Sequence, residues 1–167
     1  MQTKIIGEWE LEYDKNKTEK ANNKCMPAIE NCDCQGCKNY YCAFPQFLNE
    51  IKIFFDNFSI DMGKPIEIYK NRKILYAGFY YIVGKINKGK NIWEEKFSSK
   101  DSNDKMYSQN NVYKINNDFE IGFTYKISIS DNNFPESIFQ MEISFWVPYV
   151  IDDKNYLKHF SIEKGHK

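Results

Sequence analysis

The chain of 167 residues has no excess of either charge, because 23 Lys and Arg offset 23 Asp and Glu. Proteins that bind nucleic acids or acidic membranes broadly carry a basic excess or patch, so neither partner is expected. The local run Lys85–Lys90 reads as a solvated turn. Long apolar stretches are also missing, and the opening residues Met1-Gln2-Thr3-Lys4-Ile5-Ile6-Gly7-Glu8 contain none. Neither a signal peptide nor a membrane-spanning segment is therefore expected. A cytoplasmic location, where thiols stay reduced, is the expectation that follows. The sequons Asn16-Lys17-Thr18 and Asn57-Phe58-Ser59 have no consequence without secretion. There is no phosphate-cradling glycine-rich loop, no H-E-x-x-H and no G-x-S-x-G. The carboxylate pairs Glu94-Glu95 and Asp152-Asp153 lie away from apolar residues that would raise a pKa, so they read as solvated faces. With no catalytic constellation in view, the reading leans away from an enzyme.

Cysteine is absent from all but one stretch, and there it is dense: Cys25, Cys32, Cys34, Cys37 and Cys42 fall within 18 residues. An odd number does not suit a closed disulfide framework. Cys34-Gln35-Gly36-Cys37 is a C-x-x-C, in which Gly36 lets the backbone fold tightly and two ligands come from one turn. Cys32 and Cys42 flank it closely enough to complete a four-thiolate zinc site. The second knuckle usual in such sites is missing, and no spacing supports His159 or His166 as remote ligands. A redox pair, Cys34 and Cys37, is the alternative. Such pairs follow a buried strand and open a helix, which lowers the pKa of the first thiol. Here no apolar strand precedes Cys34, and the next helix is expected only from Pro45. A third option, Cys42 as a nucleophile with His159 as its base, rests on proximity to that helix start alone. The plainest option is reduced thiols, some packed as small hydrophobes.

The rest of the chain reads as strands and one helix. Glu8–Tyr13 alternates, with Trp9, Leu11 and Tyr13 on one face. Residues 14–43 show no apolar period, and a structureless stretch of that length is uncommon in a compact domain. Either part of it is helical or something coordinated organises it. From Pro45, a residue suited to a first helical position, Phe47, Leu48, Ile51, Phe54, Phe55 and Phe58 form an apolar stripe. Ile66–Tyr69 is a short strand, and Ile74–Val83 is apolar enough to be central and covered on both faces. Residues 87–110 read as a loop with Ile92, Trp93 and Phe97 as anchors. Val112–Ile115, a turn at Asn116-Asn117-Asp118, the alternating run Phe119–Ile129 and the run Phe139–Val147 complete the set, the last two pairing as a hairpin. Aromatics are abundant, with 13 Phe, 12 Tyr and 3 Trp. Phe79-Tyr80-Tyr81 puts rings on both faces of a sheet. They are either core or, if one face is open, a platform on which a sugar or base stacks.

Cys34-Gln35-Gly36-Cys37-Lys38-Asn39-Tyr40, Phe44-Pro45, Phe47-Leu48, Ile60-Asp61 and Lys64-Pro65-Ile66-Glu67 follow one another, then Gly78-Phe79-Tyr80-Tyr81-Ile82-Val83-Gly84 and Phe145-Trp146-Val147-Pro148-Tyr149-Val150. Over roughly residues 32–152 this resembles a group of small uncharacterised bacterial proteins. Their pattern is C-x-x-C-x-N-aromatic, an amphipathic helix, an L-G-I-D-x-x-K-x-x-E turn, a G-W-Y-x-x-x-G strand and P-W-V-L. The chain departs from it with Phe79 for Trp, and with Phe58-Ser59 for Leu-Gly. The resemblance implies a common fold and no known activity. It singles out Cys34, Cys37 and Asn39, and leaves Cys25 and Cys42 outside its pattern.

The expected architecture is one α+β, β-rich domain over 1–167. It is an antiparallel sheet or sandwich of about six to eight strands with a main amphipathic helix at 45–58. The Cys-rich segment spans 25–42, and a flexible tail starts at about 153. The expected function is a non-enzymatic cytoplasmic binding or interaction protein with a protein or small-molecule partner and no nucleic acid or membrane. Zn is its one candidate cofactor, on Cys32, Cys34, Cys37 and Cys42. The alternative is a thiol-dependent redox protein or sensor using Cys34 and Cys37.

Overall fold

The computed structural model describes residues 1–70, 75–95, 105–107, 111–135 and 137–151. The expected tail, His159, His166, Asp152-Asp153 and Phe97 lie outside them. Among the described residues, seven strands form one antiparallel sheet: β1 (Gln2–Ile6), β2 (Trp9–Tyr13), β3 (Glu67–Lys70), β4 (Leu75–Lys88), β7 (Tyr113–Asn116), β8 (Phe119–Thr124) and β9 (Ile138–Trp146). Their order is β1-β2-β4-β9-β8-β7, with β3 beside the first part of β4. Within the stretch expected as a loop, β5 (Trp93–Glu95) and β6 (Lys105–Tyr107) pair as a separate ribbon. The helices are α1 (Lys15–Asn22), α2 (Ala28–Asn31), α3 (Gln35–Ala43) and α4 (Asn49–Asp56). The fold is α+β and strand-rich, with one main sheet rather than a sandwich. No described helix is long and apolar enough to cross a membrane.

Strand β4 is central, as its apolar run implies, and alternation divides its side chains between two faces. Tyr76, Tyr80 and Ile82 enter the main core with Tyr40, Ile51, Phe54, Phe55 and Phe58, so α3 and α4 cover this face. Each fully buried aromatic here contributes on the order of 2–3 kcal/mol. Phe79, Tyr81 and Val83 enter a smaller cluster on the other face with Ala21 of α1 and Phe134. Ile92, against Gly122, and Trp93, bonded to Glu142, lie over the same face further along. Further along the same strands Leu75, Ala77 and Ser144 are half-buried and Trp146 is exposed.

Two expected elements end early. Of the helix expected over 45–58 only α4, Asn49–Asp56, is α-helical: a 3-10 turn spans Phe44–Gln46 after α3, and Phe47 is extended. Pro45 has no N–H with which to continue the α3 ladder, so it helps close one helix rather than opening the next. Phe47 still packs its ring on Phe145, 5.6 Å between centroids. The alternation of Phe119–Ile129 is a strand only as far as Thr124. Beyond it the Gln140 side chain stands in for the ladder: its Oε1 accepts from Ser128 N at 3.1 Å and its Nε2 donates to Ser128 Oγ at 3.0 Å. Tyr125, Ile127 and Ile129 are exposed in consequence. The hairpin of β8 and β9 forms as expected.

Candidate functional site

The cysteine segment, which shows no apolar period, is largely helical. Cys32 caps the C-terminus of α2, its N–H donating to Ala28 O at 3.1 Å. Two residues later Cys34 is the N-cap of α3, where its Sγ accepts from Cys37 N at 3.4 Å. Lys38 Nζ reaches Asp33 at 2.7 Å across this turn and holds the Asp33 carboxyl below the usual carboxylate range. Cys37 lies one turn inside α3, and its Sγ donates to Ile68 O of β3 at 3.9 Å. Asn39 and Tyr76, whose hydroxyl donates to Gly36 O at 3.2 Å, fix the helix to the sheet.

This arrangement brings the sulfurs of Cys32, Cys34 and Cys37 within 4.8 Å of one another, close enough to hold a metal ion. Cys34 is exposed, Cys32 half-buried and Cys37 buried. Cys42, the fourth expected ligand, is not in the group. It sits five positions beyond Cys37 on α3, roughly 7.5 Å along the axis. Cys25 is also apart, packed against the cluster on the second sheet face. A cleft of about 210 Å³ opens beside Cys32 and Cys37, between Asn31, Pro65 and Ile66.

The thiols differ electrostatically. The Cys34 thiol is held below its ordinary pKa, chiefly by the Cys37 backbone N–H, with the Cys32 and Cys37 side chains and the Gly36 N–H assisting against partial burial. Burial raises the Cys37 thiol, and its two neighbours add to the rise. Burial also pushes Cys25 up to about 11, with Asp131 adding and Lys64 opposing. A C-x-x-C that opens a helix removes one sequence objection to redox chemistry: the helix begins at Gln35, ahead of the expected Pro45. Chemically, three converging thiols can share a soft or borderline cation, and an exposed thiol beside a buried one can form a disulfide.

Sequence reasoning passed over one group. Glu142 of β9 is 4% exposed, and burial raises its pKa against hydrogen bonds from Trp93 and Gln140. Its place in an alternating strand marks it as solvent-facing, so no signal in the chain betrays its burial. Comparison with protein-family models, curated proteins and solved structures finds no match for this chain.

Proposed function

We propose that this protein is a non-enzymatic binding protein whose Cys32, Cys34 and Cys37 hold one zinc ion. The observation that carries the reading is the approach of the three sulfurs to within 4.8 Å of one another. Thiolates bound tetrahedrally to zinc at about 2.3 Å stand roughly 3.8 Å apart, so small rotations of these side chains meet the requirement. The fourth position goes to water or to an incoming ligand, on a site whose Cys34 is exposed. The ion would tie α2, α3 and β3 together, the three elements that meet at the cysteines.

A second reading is favoured by one specific observation, the exposed Cys34 capping α3 with the buried Cys37 one turn on. The Cys34 thiolate would attack a partner's disulfide and form a mixed disulfide, releasing one partner thiolate. Cys37 would then displace the second, leaving a Cys34–Cys37 disulfide and a reduced partner.

Elemental analysis of protein purified under reducing conditions without chelator, with a free-thiol count, separates the two. The zinc reading expects about one zinc per chain and three thiols that alkylate only after chelation. In Cys34→Ser or Cys37→Ser the ion is lost. No metal, together with reversible closure of Cys34 and Cys37 in a dithiol buffer, moves the assignment to the second reading. No metal and five freely reactive thiols defeats both.

A further inference from the structure

The three sulfurs that meet where α2 gives way to α3 are unequally placed, and the inequality bears on how an ion held there can leave. Cys34 is the exposed one, at the N-cap of α3. Its Sγ accepts from Cys37 N at 3.4 Å, and the Cys37 side chain follows one turn along the same helix. Residues three apart on a helix share a face, so a bond between these two sulfurs asks for side-chain rotation more than backbone movement. Cys32 is placed differently. It closes α2 with extended backbone and is separated from Cys34 by Asp33 alone. A disulfide across a single residue is a strained ring. The other two cysteines stand apart. Cys25 donates to Ala21 O at 3.6 Å beside the second sheet face, and Cys42 lies near the far end of α3.

An ion held by three sulfurs does not survive the loss of two of them. A thiolate is the form of cysteine that oxidants attack, and among neighbouring thiolates the accessible one reacts first. Cys34 is that thiolate, and Cys37 stands behind it to capture the oxidised sulfur. A hydroperoxide suits this site because it is small, uncharged and carries its own leaving group.

We propose that Cys34 is a site of hydroperoxide oxidation and that its closure onto Cys37 expels the zinc ion. This inference rests on the zinc reading given above. The Cys34 thiolate attacks the terminal oxygen of the hydroperoxide. An S–O bond forms, the O–O bond breaks, and the alkoxide (hydroxide, from hydrogen peroxide) leaves and takes a proton from solvent. The Cys37 thiolate then attacks the Cys34 sulfur. An S–S bond forms, the S–O bond breaks, and hydroxide leaves as water with a second proton. Two thiolates, one hydroperoxide and two protons thus give one disulfide, one alcohol and one water. Cys32 remains as the sole sulfur ligand, the ion departs, and α2 loses that tie to α3.

The test uses the full chain, loaded to about one zinc, freed of reductant and titrated with hydrogen peroxide in the presence of a zinc-reporting dye. About one equivalent of peroxide should release the ion. Alkylation and peptide mapping should then find Cys34 joined to Cys37 and Cys32 free. Dithiothreitol with added zinc should restore the starting state. Cys25→Ser and Cys42→Ser should release zinc at the same dose as the parent. Zinc retained through about a tenfold excess of peroxide overturns the proposal. So does a disulfide that includes Cys25 or Cys42, oxidation of Cys34 to the sulfinic acid without a disulfide, or release by oxidised glutathione and not by peroxide. A chain that never takes up zinc is a different failure, which removes the zinc reading and this proposal with it.

Discussion

Asn39 satisfies its whole side-chain amide inside the protein. Its Oδ1 accepts from Val150 N at 2.8 Å and Ile151 N at 3.4 Å, and its Nδ2 donates to Tyr76 Oη at 3.2 Å and Pro148 O at 3.1 Å. The side chain is fully buried, so water cannot replace any of these bonds. It clamps the segment after β9 onto α3, the helix that carries Cys34 and Cys37. Asn39→Ala should lower stability by about 3 kcal/mol, since several buried backbone groups lose partners at once. A urea-unfolding midpoint that barely moves would show that the clamp is dispensable. At this scale the cysteine density was plain in the sequence, but its division was not. Cys42 falls away from Cys32, Cys34 and Cys37 because α3 carries it along its axis, and that helix is hard to see. Its buried stripe is Cys37, Asn39, Tyr40 and Ala43, which mixes a polar amide and a phenol with two small residues.

The elements repeat this pattern: periodicity shows where they are, and local chemistry decides where they stop. Trp9, Leu11 and Tyr13 share a buried face as alternation requires, and Phe55 and Ile51 of α4 reach the core. The end of α4 was not legible. Ser59 N donates to Asp56 O at 3.1 Å and Ile60 N to Phe55 O at 3.3 Å, the two bonds of a Schellman cap. The residue at the left-handed position of that cap is Ser59, with φ 55. Glycine is usual there, because a β-carbon in this conformation costs roughly 1–2 kcal/mol. Ser59→Gly should therefore raise stability by about 1 kcal/mol, less whatever the extra freedom of glycine returns to the unfolded chain. Thermal unfolding at neutral pH measures it, and a lowered midpoint would mean that the serine hydroxyl makes a compensating interaction. Strand β8 carries the complementary lesson. Its alternation continues to Ile129, but backbone pairing ends at Thr124 opposite Gln140, two residues from the start of β9, and beyond it only the Gln140 side chain bonds Ser128.

Across the whole molecule, the balanced charge of the chain conceals a local imbalance on the second sheet face. Composition cannot show it, because it depends on which strands lie side by side. Glu142 is the group through which it bears on stability. Burial raises its pKa, Glu67 adds to the rise, and the Trp93 and Gln140 hydrogen bonds oppose it. The folded chain thus holds this proton more tightly than the unfolded chain does. The stability that the protonated form contributes is fully present below the ordinary carboxylate pKa and is lost as pH rises through the raised folded value. Glu142→Gln keeps the hydrogen-bonding shape and removes the titration. Its stability relative to the parent should therefore climb as pH rises from about 4 towards neutrality. Urea unfolding at a series of pH values reads this directly, and a difference between the two proteins that stays constant with pH would show that Glu142 is solvated rather than buried.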